Sequence, residues 1–222
     1  MFKKMAGSLL AATAVVAAAA ALPATANATP ATVGTGSEVV IRHASDGTAT
    51  ACTLGFVLTG TDNQDRGLIA GHCGDLHDDV TTSDGRTIGR IAAVEFPDTF
   101  NGPDTAVVSF LPGVTVDAAI EGVHPTVSAL TKDDVNRNSP VLCKLGATTG
   151  LSCGPLATVA TPGSMIAFHG KNLDGDSGGP VWTYGTNGEI LAVGTVSGSP
   201  IGKSDIAYVE PIAPYLKLWQ LR

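Results

Sequence analysis

Six residues, Gly175-Asp176-Ser177-Gly178-Gly179-Pro180, set a serine hydroxyl between glycines and directly behind a carboxylate. A serine hydroxyl is a weak nucleophile at neutral pH; it needs a base to take its proton and donors to hold the charge it creates. Glycines on either side let the backbone turn tightly and approach a carbonyl with no Cβ in the way. In such a turn the N–H groups of Gly175 and Ser177 could converge on one point and form an oxyanion hole. A Gly-rich surface turn between strands is the plainer reading of the same residues, so the rest of the chain must supply a histidine and a carboxylate.

Of the five histidines, His72 sits in Ile69-Ala70-Gly71-His72-Cys73, at the end of an apolar run and beside a cysteine. A base must be held rigidly within reach of its nucleophile, and a bridged strand end supplies that rigidity. The other four, His43, His77, His124 and His169, lie among loop residues or at strand ends and read as exposed or satisfied structural groups. Cys73, Asp75, His77, Asp78 and Asp79 admit a metal reading near His72; a disulfide at Cys73 would remove its thiolate, and the acids read as a solvated turn. For the carboxylate, Asp104 follows Asn101-Gly102-Pro103 and opens the apolar run Thr105-Ala106-Val107-Val108. A carboxylate entering an apolar strand is costly unless paired, which suits an acid that orients a histidine. Asp98, in a Pro-Asp turn, is the second candidate.

These residues need elements to hold them. With 27 glycines, 13 prolines and 15% charged residues, the chain reads as many short strands joined by tight turns. One set of strand-like runs covers 38–42, 52–58, 67–70, 87–94 and 105–111. A second covers 126–130, 140–145, 154–160, 165–169, 180–184, 190–197 and 206–210. The less regular stretch 112–125 is the expected crossing between them, and two such sets suggest two barrels or a sandwich. Ile212, Tyr215, Leu216 and Trp219 share one face after Pro211, the pattern of a short C-terminal amphipathic helix.

Lys3 and Lys4 precede an apolar stretch over 9–22 that ends at Ala26-Asn27-Ala28, the pattern of a removable export signal over 1–28. Removing those 28 residues from 222 leaves 194, and losing their two lysines moves the formal charge from −7 to −9. Residues 29–37 read as a flexible lead-in. An exported, acidic chain without a basic tract is a poor candidate for nucleic acid, and no other apolar run is long enough for a membrane span. Four cysteines in an exported protein most simply form two disulfides. Cys143 with Cys153 and Cys52 with Cys73 is one of three pairings, and a zinc site lacks both C-x-x-C spacing and a matching histidine pair.

His72 in Ala-Gly-His-Cys, Asp104 in Asp-Thr-Ala-Val-Val and Ser177 in Gly-Asp-Ser-Gly-Gly-Pro occur in the order His, Asp, Ser. This resembles the chymotrypsin-like serine endopeptidases, the family of the general triad example. The segment from Cys143 to Gly150, followed by Cys153-Gly154, is similar to a bridged loop of the bacterial, streptogrisin-like branch. The resemblance spans roughly residues 38–222.

It implies an all-β fold of two six-stranded antiparallel barrels with a short C-terminal helix: a first barrel over 38–112, a crossing over 113–125, and a second barrel with the helix over 126–222. It also implies a secreted, monomeric serine endopeptidase acting on peptide or protein substrates without metal or cofactor. His72, Asp104 and Ser177 would be the triad, with the Gly175 and Ser177 amides as oxyanion hole. Asp176 would be a structural acid paired with Lys144; a new α-amino group near Val33 is the alternative cation. Ser197, Gly198 and Ser199 would line the substrate cleft, with Ser197 supporting Asp104. Residues 171–174 and those near Ile206 would wall the primary pocket; Lys171 would favour an acidic side chain before the cut if it points inward, and a small or apolar one if it points to solvent. Leu173 stands where relatives often place a cysteine, and Ile69 where the histidine motif usually has threonine. The competing class is a catalytically silent protein binding peptides in the same cleft. An esterase is a third, but its Gly-x-Ser-x-Gly motif would precede its aspartate and histidine.

Overall fold

The run Thr105-Ala106-Val107-Val108 is apolar without alternation, and all four residues are buried. A strand reads this way when both of its faces are covered. Ala106 and Val108 join Ile69, Ile91 and Val39 in one core, while Val107 joins Leu68, Phe56 and Trp182 in another. The computed structural model shows what covers the two faces; it describes residues 30–222 except Asp98, Phe100, 126–128 and Ser139. The expected export signal and the second candidate acid, Asp98, lie outside the described residues.

The first sheet contains β2 (Glu38–Arg42), β3 (Ala49–Thr53), β4 (Val57–Thr59), β5 (Asp65–Ile69), β6 (Asp79–Thr82), β7 (Thr87–Glu95) and β8 (Thr105–Phe110). Its order is β3-β2-β6-β7-β8-β5-β4, antiparallel throughout. The two edges, β3 and β4, are separated in sequence only by Leu54, Gly55 and Phe56. Such a link spans at most about 14 Å, whereas the edges of a flat seven-stranded sheet would lie roughly 29 Å apart. The sheet therefore curls shut. Counted as one bent strand, β3 and β4 give this barrel six staves.

The second sheet runs β11-β10-β13-β14-β15-β12, from β10 (Leu142–Gly146), β11 (Gly150–Gly154), β12 (Ile166–Phe168), β13 (Pro180–Tyr184), β14 (Ile190–Gly198) and β15 (Ala207–Pro211). A bridge between Leu156 and Phe168 joins its two ends. Its interior holds Leu142, Phe168, Val181, Val193 and Val209. Between the two barrels lies the core of Leu68, Val107, Trp182, Ile190 and Ile212. The C-terminal helix, α2 (Ala213–Leu218), lays Leu216 on that core, as the spacing predicts, with Trp219 just beyond its end. Two disulfides, Cys52–Cys73 and Cys143–Cys153, match the expected pairing. No helix of the described residues is long and apolar enough to cross a membrane.

Several expectations are corrected. The stretch 29–37 holds a strand, β1 (Thr32–Gly34), paired in parallel with β9 (Thr115–Asp117), and Val33 is buried. Strands of three residues are too short to show alternation, and this pairing joins segments far apart in sequence. The crossing is thus partly regular. The acids after His77 are not a solvated turn: Asp78 is buried, accepts from the amides of Ala44 and Asp75, and meets His43 Nδ1 at 2.9 Å. Lys132–Asn138 forms a helix, α1, that the strand reading passed over. Of the expected strand 126–130, residues 126–128 lie outside the described set, and Ala129 and Leu130 are not in a strand.

Candidate active site

His72 lies in a one-turn 3-10 helix, Gly71–Cys73, at the end of β5. The Cys73 bridge to Cys52 ties that turn to β3. Asp104, 3% exposed, immediately precedes β8, the strand paired with β5. That neighbouring brings the two side chains together: His72 Nδ1 lies 2.8 Å from Asp104 Oδ2, and the His72 amide donates to Oδ1 at 2.9 Å. The Ser197 hydroxyl, at the end of β14 on the other barrel, also donates to Asp104 Oδ2. Burial alone would raise the Asp104 carboxyl; the hydrogen bonds and charge of His72, with the Ser197 hydroxyl, outweigh it and hold it below the usual carboxylate range. An ionised acid locked on Nδ1 fixes the imidazole orientation and stabilises its protonated form.

The serine turn is held from both barrels. Thr53, at the end of β3, donates its amide to the Ser177 carbonyl at 2.8 Å and its hydroxyl to the Gly175 carbonyl at 2.7 Å. Gly175 and Gly178 have φ of +94° and +88°, the left-handed region that side chains disfavour. Neither the Gly175 nor the Ser177 amide donates to another group among the described residues. The Ser177 hydroxyl forms no hydrogen bond with His72. Such contacts are often long in unliganded sites and tighten when substrate binds.

Asp176 points away from this turn into a fully buried pair. Its Oδ2 lies 3.0 Å from Lys144 Nζ and accepts from the Thr149 hydroxyl at 2.6 Å and the Leu173 amide at 3.0 Å. Its Oδ1 accepts from the amides of Thr148 and Thr149, each at 3.0 Å. Burial would raise this carboxyl as well, and these bonds more than reverse it. For Lys144 the balance falls the other way: burial lowers the ammonium and Asp176 only partly offsets that. A Cβ at Gly146 would collide with the Asp176 carboxylate, so glycine there makes room for the pair. Val33, the alternative source of a cation, is instead buried in the first barrel's core.

Two hollows flank the serine and histidine. One, of about 430 Å³, is bordered by His72, Phe96, Pro162, Met165 and Tyr208. The other, of about 480 Å³, is bordered by Ser177, Asn172, Asp174, Ser199, Lys203 and Ser204. Gly198 and Ser199 border both.

No protein-family model matches the chain, and no curated sequence relative does. Solved structures do. Thermobifida fusca protease A is similar at 25% identity and a TM-score of 0.62, covering 86% of this chain and 98% of its own. Cellulomonas bogoriensis chymotrypsin is similar at 27% identity and a TM-score of 0.62, covering 86% and 97%. A Nocardiopsis protease gives 27%, 0.63, 86% and 98%. The fold is that of the bacterial chymotrypsin-like serine proteases. The enzyme class that goes with this likeness is a serine-type peptidase.

Within that protease fold, the residues expected at the site fall into three groups. His72 and Asp104 are in contact, Lys144 and Asp176 are paired, and Ser177, Gly198 and Ser199 border the second hollow. Lys171 is corrected: it is exposed and borders a separate depression with Ser152 and His169, while its amide donates to Ser152 Oγ at 2.9 Å. Ile206 is buried and does not border the second hollow. Asn172 falls within the expected wall 171–174 and does border that hollow; Thr53, Thr149 and Lys203 were missed. Thr149 stands in the quoted loop motif, but the acid it meets is 27 residues away, and none of the three has a local signal.

Proposed function

We propose that the chain is a secreted serine endopeptidase that cleaves peptide bonds in peptide or protein substrates as a monomer. The observation that carries this reading is the His72–Asp104 contact, braced by Ser197, beside one hollow, with Ser177 beside the other and Gly198 and Ser199 bordering both. Ser177 Oγ attacks the substrate carbonyl carbon while His72 Nε2 takes its proton. The carbonyl oxygen becomes an oxyanion facing the free amides of Gly175 and Ser177. His72 then gives the proton to the leaving amine, the C–N bond breaks, and an acyl group remains on Ser177. Water, deprotonated by His72, releases it. Asp104 holds the imidazole in the tautomer this needs, and the Lys144–Asp176 pair holds the oxyanion turn. The two disulfides and the Ala26-Asn27-Ala28 pattern support export.

A second reading is favoured by one observation, the lack of a Ser177–His72 hydrogen bond: a silent relative that binds peptides in the same cleft. A fluorophosphonate probe separates the two. Full-length protein should be labelled on Ser177, mapped by mass spectrometry, and the label should vanish in Ser177→Ala and His72→Ala. Folded, disulfide-bonded protein that takes no label would leave the binding reading standing.

A further inference from the structure

The side chain of the residue before the cut must enter the hollow that Ser177 borders, because Ser177 attacks that residue's carbonyl. This rests on the serine-peptidase function proposed above. Among the residues bordering the hollow, the two charged ones, Asp174 and Lys203, are exposed at its rim. Asn172 is the only buried one, and no histidine borders it. A charged substrate side chain entering here would lose water without gaining a buried counter-charge, which is costly. The wall is polar but neutral.

Asn172 is also incompletely satisfied. Its amide donates to the Ser204 carbonyl at 2.8 Å, which ties the wall to the 198–205 loop, and Nδ2 donates to Ser199 Oγ at 2.9 Å. Its Oδ1 is buried and accepts no hydrogen bond. A buried acceptor left unpaired is costly, so a donor that the substrate brings to Oδ1, as the carboxamide turns towards the hollow, has more to gain here than at a satisfied wall. Rotating the carboxamide by 180° exchanges the roles, with Oδ1 accepting from Ser199 and Nδ2 lacking an acceptor. A partner suited to both arrangements must both donate and accept.

We infer that Asn172 selects an uncharged carboxamide side chain, glutamine or asparagine, as the residue before the cut. A site built around an unmet hydrogen bond discriminates against an isostere that lacks the group. The test uses full-length protein and four peptides differing only at that position: glutamine, methionine, glutamate and lysine. Glutamine should exceed methionine in kcat/KM by about tenfold, the size expected of one hydrogen bond of this kind, and exceed glutamate and lysine by more. In Asn172→Leu the ratio of glutamine to methionine should fall towards one. Methionine, glutamate or lysine equal to glutamine in the unsubstituted protein would overturn the inference, whatever the variant does. So would an unchanged ratio in folded Asn172→Leu. Fluorophosphonate labelling in parallel separates the failures: labelled Ser177 without glutamine preference defeats the specificity alone, whereas neither labelling nor cleavage defeats the peptidase function with it.

Discussion

Lys144 and Asp176 are both fully buried, and neither touches the hollows where substrate would lie. In the proposed function they hold the turn that carries Gly175 and Ser177. Removing one charge of a buried pair strands the other, which costs more than the pair itself contributes. Lys144→Met should destabilise the protein by about 3 kcal/mol, read from the denaturant midpoint at constant m-value. Lys144→Met combined with Asp176→Asn should recover part of that loss, because no charge is then left alone. If the double variant is as unstable as the sum of the singles, the pair is not the source of the cost. At this scale much of the site was readable. Ser177 and His72 stand in short local strings, and Asp104 was singled out because an acid opening an apolar strand needs a partner. Lys144 came only from the family resemblance. Thr53 was invisible, since the hydroxyl that meets Gly175 belongs to a residue 122 positions away, and the Asn172–Ser199 contact likewise joins separate segments.

At the level of elements, the site exists only where two barrels meet. β5 and β8 carry His72 and Asp104 from one side, and β14 brings Ser197 from the other. The core between them includes Leu68 of β5, one residue before Ile69, which faces the first barrel's own interior. Leu68→Ala would open a cavity at that seam and should cost about 2–5 kcal/mol, with Ser177 labelling slowed as the barrels loosen. A loss under about 1 kcal/mol would mean that the seam collapses around the cavity and contributes little. Strands with a strong apolar run, such as β2, β13 and β14, were legible within a residue or two. β1 and β9 were not, because three residues show no period and their partner is remote. Helix α1 did leave a mark: the Thr131 hydroxyl accepts from the Asp134 amide at 3.2 Å, and the Thr131 amide donates to Asp134 Oδ2 at 3.2 Å. That reciprocal pattern of a Thr and an acid three residues on is a helix-start signal, but only Val135 of the helix is buried, so no apolar stripe announced it.

For the whole molecule, pH acts on buried carboxyls in opposite directions. Asp104 and Asp176 are held below the ordinary range, so each contributes stability above its unfolded value that is lost as pH falls through the lowered folded one. Glu210, on β15, behaves otherwise. It is buried; Oε1 accepts from the hydroxyls of Ser164 and Tyr215 at 3.1 and 3.0 Å, while Oε2 has no partner. Burial raises this carboxyl, and the Ser164 and Tyr215 bonds only partly offset it. Burial, and after it the same carboxyl, push the Tyr215 phenol up as well. A carboxyl raised in the folded state keeps its proton when the unfolded chain has already released one. Stability then declines as pH rises from the unfolded value, about 4.3, towards the raised folded one, and above that the full cost of a buried lone charge persists. Glu210→Gln keeps the shape and both hydroxyl bonds while removing the titration. It should stabilise the protein at pH 7.5 by about 1 kcal/mol, or roughly 2–4 °C in Tm for a chain of this size, and leave Tm unchanged at about pH 3, well below the unfolded value, where the carboxyl is protonated in both states. Thermal melts at the two pH values decide it: an equal effect at both would mean that the glutamine changes packing rather than charge, and destabilisation at pH 7.5 would mean that the carboxylate is paired in a way its neighbours do not reveal.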